Sequence, residues 1–297
     1  MTLSPRFART TDLEVAYLES GEAAGVPVVL LHGFPYDVSA YDEVARRLHG
    51  ARVIVPWLRG FGPTRFRSDQ LIRSGQQAAL GTDLFELLDA LQLERCVVAG
   101  YDWGGRAACI LAALHPERVS GLVTVDGYNV QDLSGQPRPL PPEDERRRWY
   151  QYYLHSQWGA AAFAADPEEF ARVLWETWSP TWTAGRGAFQ RSRESLANPD
   201  FVEVVVHSYR HRFGLAEGDP RLQPVEDALA ERPPITVPTI VLEAGADGVT
   251  GSPRGDIERA EFTGRYAYRL IEGVGHNVPQ EAPVAFAAAV QELIDGS

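Results

Sequence analysis

Cysteine is almost missing from this sequence: 297 residues hold two, Cys96 and Cys109. Two thiols without metal-ligand spacing exclude a disulfide framework and a thiolate metal site. Both read as small buried hydrophobes in a reducing cytoplasm. Bases are scarce as well, 28 Lys and Arg against 40 Asp and Glu, for a formal net charge of −12. That balance excludes nucleic acid and anionic membrane surfaces as partners. The one basic cluster, Arg146 to Arg148, follows Glu143, Asp144 and Glu145 and reads as a solvated helix start with acids first and bases after. No apolar run reaches spanning length, and the opening Met-Thr-Leu-Ser-Pro lacks the basic-then-apolar layout of a secretory signal. Repeats and low-complexity tracts are also absent. What remains is the composition of a cytoplasmic globular protein, 44% hydrophobic and 23% charged. Its length suits one large α/β domain or two medium ones.

Against these absences stands one stretch, Cys96 to Leu111. The apolar run Cys96 to Ala99 reads as a buried strand. It leads into Gly100-Tyr101-Asp102-Trp103-Gly104 and then an Ala-rich segment that reads as a helix. A G-x-nucleophile-x-G turn between strand and helix is the frame of a nucleophile elbow, whose central residue sits in strained backbone geometry. Ser usually occupies that place; here it is Asp102. A carboxylate there attacks an electrophilic carbon and leaves an alkyl ester. The competing interpretation of Asp102 is a simple helix N-cap.

The rest of the chain supplies partners. Residues 12 to 18 alternate like a half-buried strand. Val28 to Leu31, with Pro27 just before it, and Arg52 to Pro56 read as strands buried on both faces. Ala40 to Leu48 and residues 78 to 91 read as helices, and Val119 to Val125 as a further strand ending at Asp126. Such alternation predicts an α/β fold with a mostly parallel, doubly wound sheet, whose site lies at the carboxyl ends of the strands. A proline-rich connector, residues 134 to 142, opens a helical and aromatic segment running to about Leu229. Strand signals return at Thr239 to Leu242 and Tyr266 to Ile271, and Pro283 to Leu293 reads as the last helix, with Pro at its start. The expected organisation is a core of residues 1–133 and 234–297 with an inserted helical cap, 134–233, over the strand ends.

His276 lies in Gly273-Val274-Gly275-His276, after the last strand. Asp247 lies in Ala246-Asp247-Gly248, after the strand before it. The chain order nucleophile, acid, histidine is that of the hydrolase architecture. Asp247 is the first choice to orient His276, with Asp126 its rival.

On these motifs the chain resembles the α/β-hydrolase family along essentially its full length. The elbow with Trp103, together with His32-Gly33-Phe34-Pro35, resembles the branch holding epoxide hydrolases and the haloalkane and haloacetate dehalogenases. The resemblance implies an oxyanion hole from the backbone N–H groups of Phe34 and Trp103, and a cis bond before Pro35. Two cap segments, Trp149 to Tyr153 and His207 to Arg210, resemble those that give epoxide hydrolases paired tyrosines. Epoxide opening develops an alkoxide that needs a proton donor. Tyr150 and Tyr209 are the choices, with Tyr152 in reserve. Trp149, Tyr152, His32 and Arg106 are expected to line the substrate. The aromatic cap, with Trp158, Trp175, Trp178, Trp182 and Phe163, suits a bulky or aromatic substrate or is cap core.

The implied activity is therefore a cofactor-free, metal-free epoxide hydrolase. Asp102 attacks the epoxide, and a water activated by His276 hydrolyses the ester. A dehalogenase with the same nucleophile is the alternative. Where the haloacetate branch places an Arg directly after the nucleophile, this chain has Trp103, yet Arg106 and Asp126 match two other positions of that branch. In the haloalkane branch an indole N–H such as that of Trp103 binds halide, with a second donor such as Trp149. A further alternative, from another class, is a hydrolase-fold binding or biosynthetic protein without covalent chemistry. The expected partner is a small molecule, with no nucleic acid and no membrane; a homodimer stays open, as do substrate identity and stereochemistry.

Overall fold

Val28, Val29, Leu30 and Leu31 are buried, as a strand covered on both faces requires, and they lie near the middle of the sheet. The computed structural model describes residues 3–133, 139–251 and 253–296. Residues 134–138, the first part of the expected connector, lie outside the described residues.

Among the described residues nine strands form one sheet: β1 (Arg6–Arg9), β2 (Leu13–Gly21), β3 (Val26–Leu31), β4 (Ala51–Pro56), β5 (Arg65–Phe66), β6 (Cys96–Gly100), β7 (Val119–Val125), β8 (Thr239–Ala244) and β9 (Tyr266–Ile271). Their order is β1-β2-β4-β3-β6-β7-β8-β9, with β5 beside β2. From β4 to β9 every pairing is parallel, whereas β1, β2 and β5 pair antiparallel at one end. Strand order reverses between β3 and β6, and the register sets Leu31 beside Gly100. The loops leaving these two strands therefore emerge side by side, at the switch point where open α/β sheets bind ligands.

Helices α1 (Asp42–Ala45), α2 (Gln77–Ala90) and α3 (Asp102–Leu114) connect the first strands. Between β7 and β8 run α4 (Pro142–Arg147), α5 (Trp149–His155), α6 (Gln157–Ala165), α7 (Pro167–Trp178), α8 (Gly185–Ser192), α9 (Phe201–His211) and α10 (Gln223–Ala230). The chain ends through α11 (Val278–Glu281) and α12 (Pro283–Asp295). The helices between β7 and β8 reach the strand-end loops through named bonds. Trp175 Nε1 donates to the Pro35 carbonyl at 3.0 Å. Backbone N–H groups of Gly248 and His276 donate to the Trp178 carbonyl at 2.9 and 3.1 Å.

Three expectations need correction. Ala40 to Leu48 is not one helix: a 3₁₀ turn, Val38–Tyr41, precedes the single α-turn of α1. Arg47 and Leu48 then bond three residues back, to Val44 and Ala45. Asp37 caps that 3₁₀ turn through Ser39 N, and buried Tyr41 is pinned by its hydroxyl to the Leu31 carbonyl at 2.8 Å, so tertiary anchors override the helical pattern. Second, β1 and β5 were not expected, being short edge pieces with mostly exposed side chains. Third, Pro27 is the second residue of β3 rather than its predecessor, ahead of the β6 pairing that begins at Val28. Among the described residues no helix is long and apolar enough to cross a membrane.

Candidate active site

Asp102 is built into its place by backbone. Tyr101 is extended and takes the N-cap position of α3, and Asp102 follows with φ +50°, rare for a residue with a Cβ. The turn closes only because its glycines have no side chain. A Cβ on Gly100 would lie 2.5 Å from the Gly104 backbone, and one on Gly104 would lie 2.0 Å from the Leu31 carbonyl oxygen. The N-cap interpretation of Asp102 therefore fails. Its carboxylate turns to the neighbouring loop, where Oδ1 accepts the Phe34 N–H at 2.7 Å. Gly33 lets the loop come this close, since a Cβ there would sit 2.6 Å from the same oxygen. The peptide between Phe34 and Pro35 is cis.

His276 faces Asp102 from the loop after β9. Its Nε2 lies 3.6 Å from Asp102 Oδ2, while Nδ1 and Asp247 Oδ2 are 2.8 Å apart. Asp247 is fixed in the turn after β8, where its Oδ1 accepts Val249 N–H at 2.6 Å and Thr250 N–H at 3.3 Å. Asp247, not Asp126, is thus the carboxylate on the histidine. Asp126 stands behind it, and one ligand atom each from Asp126, Asp247 and His276 lie within 4.8 Å of one another. Three such groups could hold a cation in principle, but the histidine nitrogen on that side is engaged by Asp247.

The electrostatics follow from burial and neighbours. Burial pushes the Asp102 carboxyl up, but His276, Arg106 and the Trp103 backbone together hold it below the ordinary carboxylate range. Burial lowers His276, yet Asp247 and Asp102 on its two sides raise it well above an ordinary histidine. Burial also raises Tyr150 and Tyr209, keeping both phenols protonated.

The tyrosines meet as a pair. Tyr150, on α5, and Tyr209, on α9, cross edge to face at 5.2 Å. Tyr209 stands edge-on to Phe34 at 5.6 Å, and Tyr150 packs on Trp178, which lies 4.9 Å from the His276 ring. Both phenols feel the Asp102 charge. Gln151 Nε2 donates to the Tyr150 hydroxyl at 3.0 Å, which leaves that hydroxyl's own proton free to be given elsewhere.

Other expected residues fall differently. Tyr152 is turned outward, 42% exposed, with its hydroxyl donating to Glu145, because one step along a helix rotates a side chain by about 100°. Trp149 packs on Tyr153 and Phe170, inside the helical layer. His32 is buried with both nitrogens engaged by backbone: Nε2 accepts Leu58 N–H at 3.1 Å and Nδ1 contacts the Gly33 carbonyl at 3.0 Å. It braces the loop and has no nitrogen left for a substrate. Arg106, one helical turn beyond Asp102, is buried with Nε and Nη1 unpartnered. Trp158 is 73% exposed, whereas Phe163, Trp175 and Trp178 are core.

Sequence reasoning passed over two neighbours of this cluster. Trp178 was one aromatic among many, with no motif to single it out, yet it touches both Tyr150 and His276. Arg212 lies over the Tyr209 ring at 4.5 Å, and nothing in its spacing announces that.

Comparisons with known proteins agree with this architecture. The model of the alpha/beta hydrolase fold matches residues 26–283. Human "Epoxide hydrolase 4" is 31% identical over 290 residues, 93% of this chain and 74% of that protein. "Epoxide hydrolase A" of Mycobacterium tuberculosis is 26% identical, over 98% of this chain and 97% of its own. A Klebsiella pneumoniae protein of known crystal structure, provisionally named an epoxide hydrolase, is 41% identical, with a TM-score of 0.94 over 98% of this chain and 97% of that one. With the family model spanning most of the sequence, the chain belongs to the α/β-hydrolase fold family.

Proposed function

We propose that the protein is an epoxide hydrolase working through a covalent ester of Asp102, in a core–cap architecture with the 134–233 segment as cap. One observation carries this reading: an aspartate carboxylate occupies the elbow and already accepts the Phe34 N–H, with two protonated phenols in its field. The names of the relatives support the same substrate class.

The steps balance without a cofactor. Asp102 Oδ2 attacks an epoxide carbon, the C–O bond breaks, and Tyr150 or Tyr209 gives its proton to the departing oxygen. Ester formation removes the negative charge of Asp102. His276, raised by two carboxylates in the resting enzyme, then keeps only Asp247 and gives up its proton, which restores the phenol. The neutral imidazole now takes a proton from water, and the hydroxide attacks the ester carbonyl. The oxyanion formed is held by the N–H groups of Phe34 and Trp103. On collapse the ester C–O bond to the substrate breaks and the leaving alkoxide takes the proton of the newly added hydroxyl, so the diol departs with Asp102 ionised and His276 protonated as at the start. On this reading the partner is a small epoxide with a bulky or aromatic body, the enzyme works in the cytoplasm, and activity survives EDTA.

A second reading, dehalogenation, is favoured by one specific feature. The indole nitrogens of Trp103 and Trp178 are buried without a partner among the described residues, and a halide accepts such donors. Intact mass of a His276→Ala protein separates the two. An adduct of one whole epoxide supports ring opening, and an adduct of the organohalide less hydrogen halide moves the assignment to dehalogenase. If a wide panel of both classes leaves the mass unchanged, the covalent mechanism is wrong.

A further inference from the structure

The proposed reaction uses Asp102, His276 and Asp247 and leaves one half-buried carboxyl beside them, that of Asp126, without a task. Asp126 follows β7 directly with φ +62°, a conformation that a residue with a Cβ holds only when its surroundings impose it. Here they do. Its N–H donates to the Leu242 carbonyl at 2.8 Å, and its carbonyl accepts Arg254 Nη2 at 2.6 Å. The result brings a carboxyl oxygen of Asp126 within 4.8 Å of one of Asp247 and of a His276 ring nitrogen.

Two carboxyl groups this close, one buried and the other half-buried, resist ionising together, so one proton is retained by the pair. Counting donors says where. Asp247 accepts from Val249 N, from Thr250 N and from the imidazole, all of which favour its charged form. Asp126 accepts one long bond, from Ala244 N at 3.3 Å. The other charges near Asp126 do not reverse this. Arg254 spends its Nη2 on the Asp126 carbonyl, not on the carboxyl. Glu243 is taken by Gly255 N and the Tyr268 hydroxyl, and Glu258 by Tyr128 N. Burial and the Asp247 charge both push the Asp126 carboxyl up, in agreement with the donor count.

We propose that Asp126 is a positioning residue: a neutral carboxylic acid that donates its proton to Asp247 and thereby holds that carboxylate against His276 and limits its pull on the imidazole. For its catalytic consequence this rests on the epoxide-hydrolase reading; the pairing itself does not. With the donor present, the Asp247 charge is divided over four partners and His276 can still give up its proton once the ester has formed. Without it, Asp247 pulls harder and His276 stays protonated to higher pH.

The test needs no substrate. His276 is titrated by NMR in the full chain for wild type, Asp126→Asn and Asp126→Ala, with His276→Gln identifying its signal. Asn keeps an N–H donor and the shape of Asp and is the variant most certain to fold. Its His276 titration is expected at the wild-type position, and Ala is expected to move it upward by about half a unit or more. Infrared spectra at neutral pH add an independent reading: the carbonyl band of a protonated carboxylic acid, present in wild type and lost in Asp126→Asn. A downward shift in Asp126→Asn means that Asp126 was ionised and overturns the proposal, as does an unmoved titration in Asp126→Ala or a missing infrared band. Ester trapping with His276→Ala added to each of these proteins reads the reaction separately. If His276→Ala in the otherwise wild-type chain forms no epoxide adduct, the hydrolase reading fails while the carboxyl pair stands as measured.

Discussion

Arg106 is a guanidinium set among aromatic side chains with two of its nitrogens unpartnered, and burial with the nearby Arg212 charge pulls it down to about 10. An unpaired buried cation costs stability unless it acts elsewhere, and here it helps hold Asp102 ionised. Replacing it by Met is expected to raise the Asp102 carboxyl, so the acid limb of the alkylation rate moves to higher pH. Thermal stability should hold or rise. Rapid-quench alkylation measured across pH checks both directions, and a fixed acid limb would show that Arg106 serves something other than the nucleophile. The phenols make a second residue-level prediction. Tyr150→Phe and Tyr209→Phe should each slow alkylation by about 10²-fold, the usual scale for one general acid, and Tyr152→Phe should leave it alone. Equal losses at all three positions would mean that the inward pair had been misidentified.

At the scale of elements, the most legible parts were those whose local chemistry leaves one solution. β3 and β6 are short runs of Val, Leu and Ala bounded by turns, and G-x-D-x-G between a strand and a helix admits little besides an elbow. Gly104→Ala tests how tightly that turn is specified. Its methyl would meet the Leu31 carbonyl, so a loss of about 3 kcal/mol or more by chemical denaturation is expected, where a helical glycine site that tolerates Ala would gain about 1 kcal/mol. Where tertiary contacts decide, the sequence was mute. The aromatic run Trp149 to Tyr153 contains inward and outward residues at adjacent positions, and only the seat of α5 against α9 tells Tyr150 from Tyr152. His32 belongs to a readable motif, but its bond from Leu58 N–H depends on a loop 26 residues away in sequence. The two candidate acids could be placed at strand ends. That one would stand behind the other was not visible before β7, β8 and the last loop were folded together.

For the molecule as a whole, the 28 basic residues are all arginine; the chain has no lysine. Burial pushes the two thiols up to about 12 and about 11. Among the histidines, His276 is raised on folding, whereas burial lowers His32, His155, His207 and His211. With no lysine and both thiols raised, this makes the alkaline pH dependence of stability easy to interpret. His276 and Asp126 are both raised in the folded state. Their contributions are fully present below the unfolded values, about 6.5 and 3.9, and are lost as pH rises through the folded ones. Asp102 and Asp247 are lowered, so theirs is present above about 3.9 and lost as pH falls through their folded values. The melting temperature should therefore decline above neutrality in wild type and decline less in His276→Gln. Identical alkaline slopes in the two proteins would contradict the raised histidine. The bond from Trp175 to the Pro35 carbonyl has its own consequence at this scale. It joins α7 to the residue next to Phe34. On the proposed reading, with the helical segment as cap and the Phe34 N–H as oxyanion donor, a displacement of α7 is felt at the peptide that carries the charge, so fit above the nucleophile and stabilisation beside it are one mechanical coordinate.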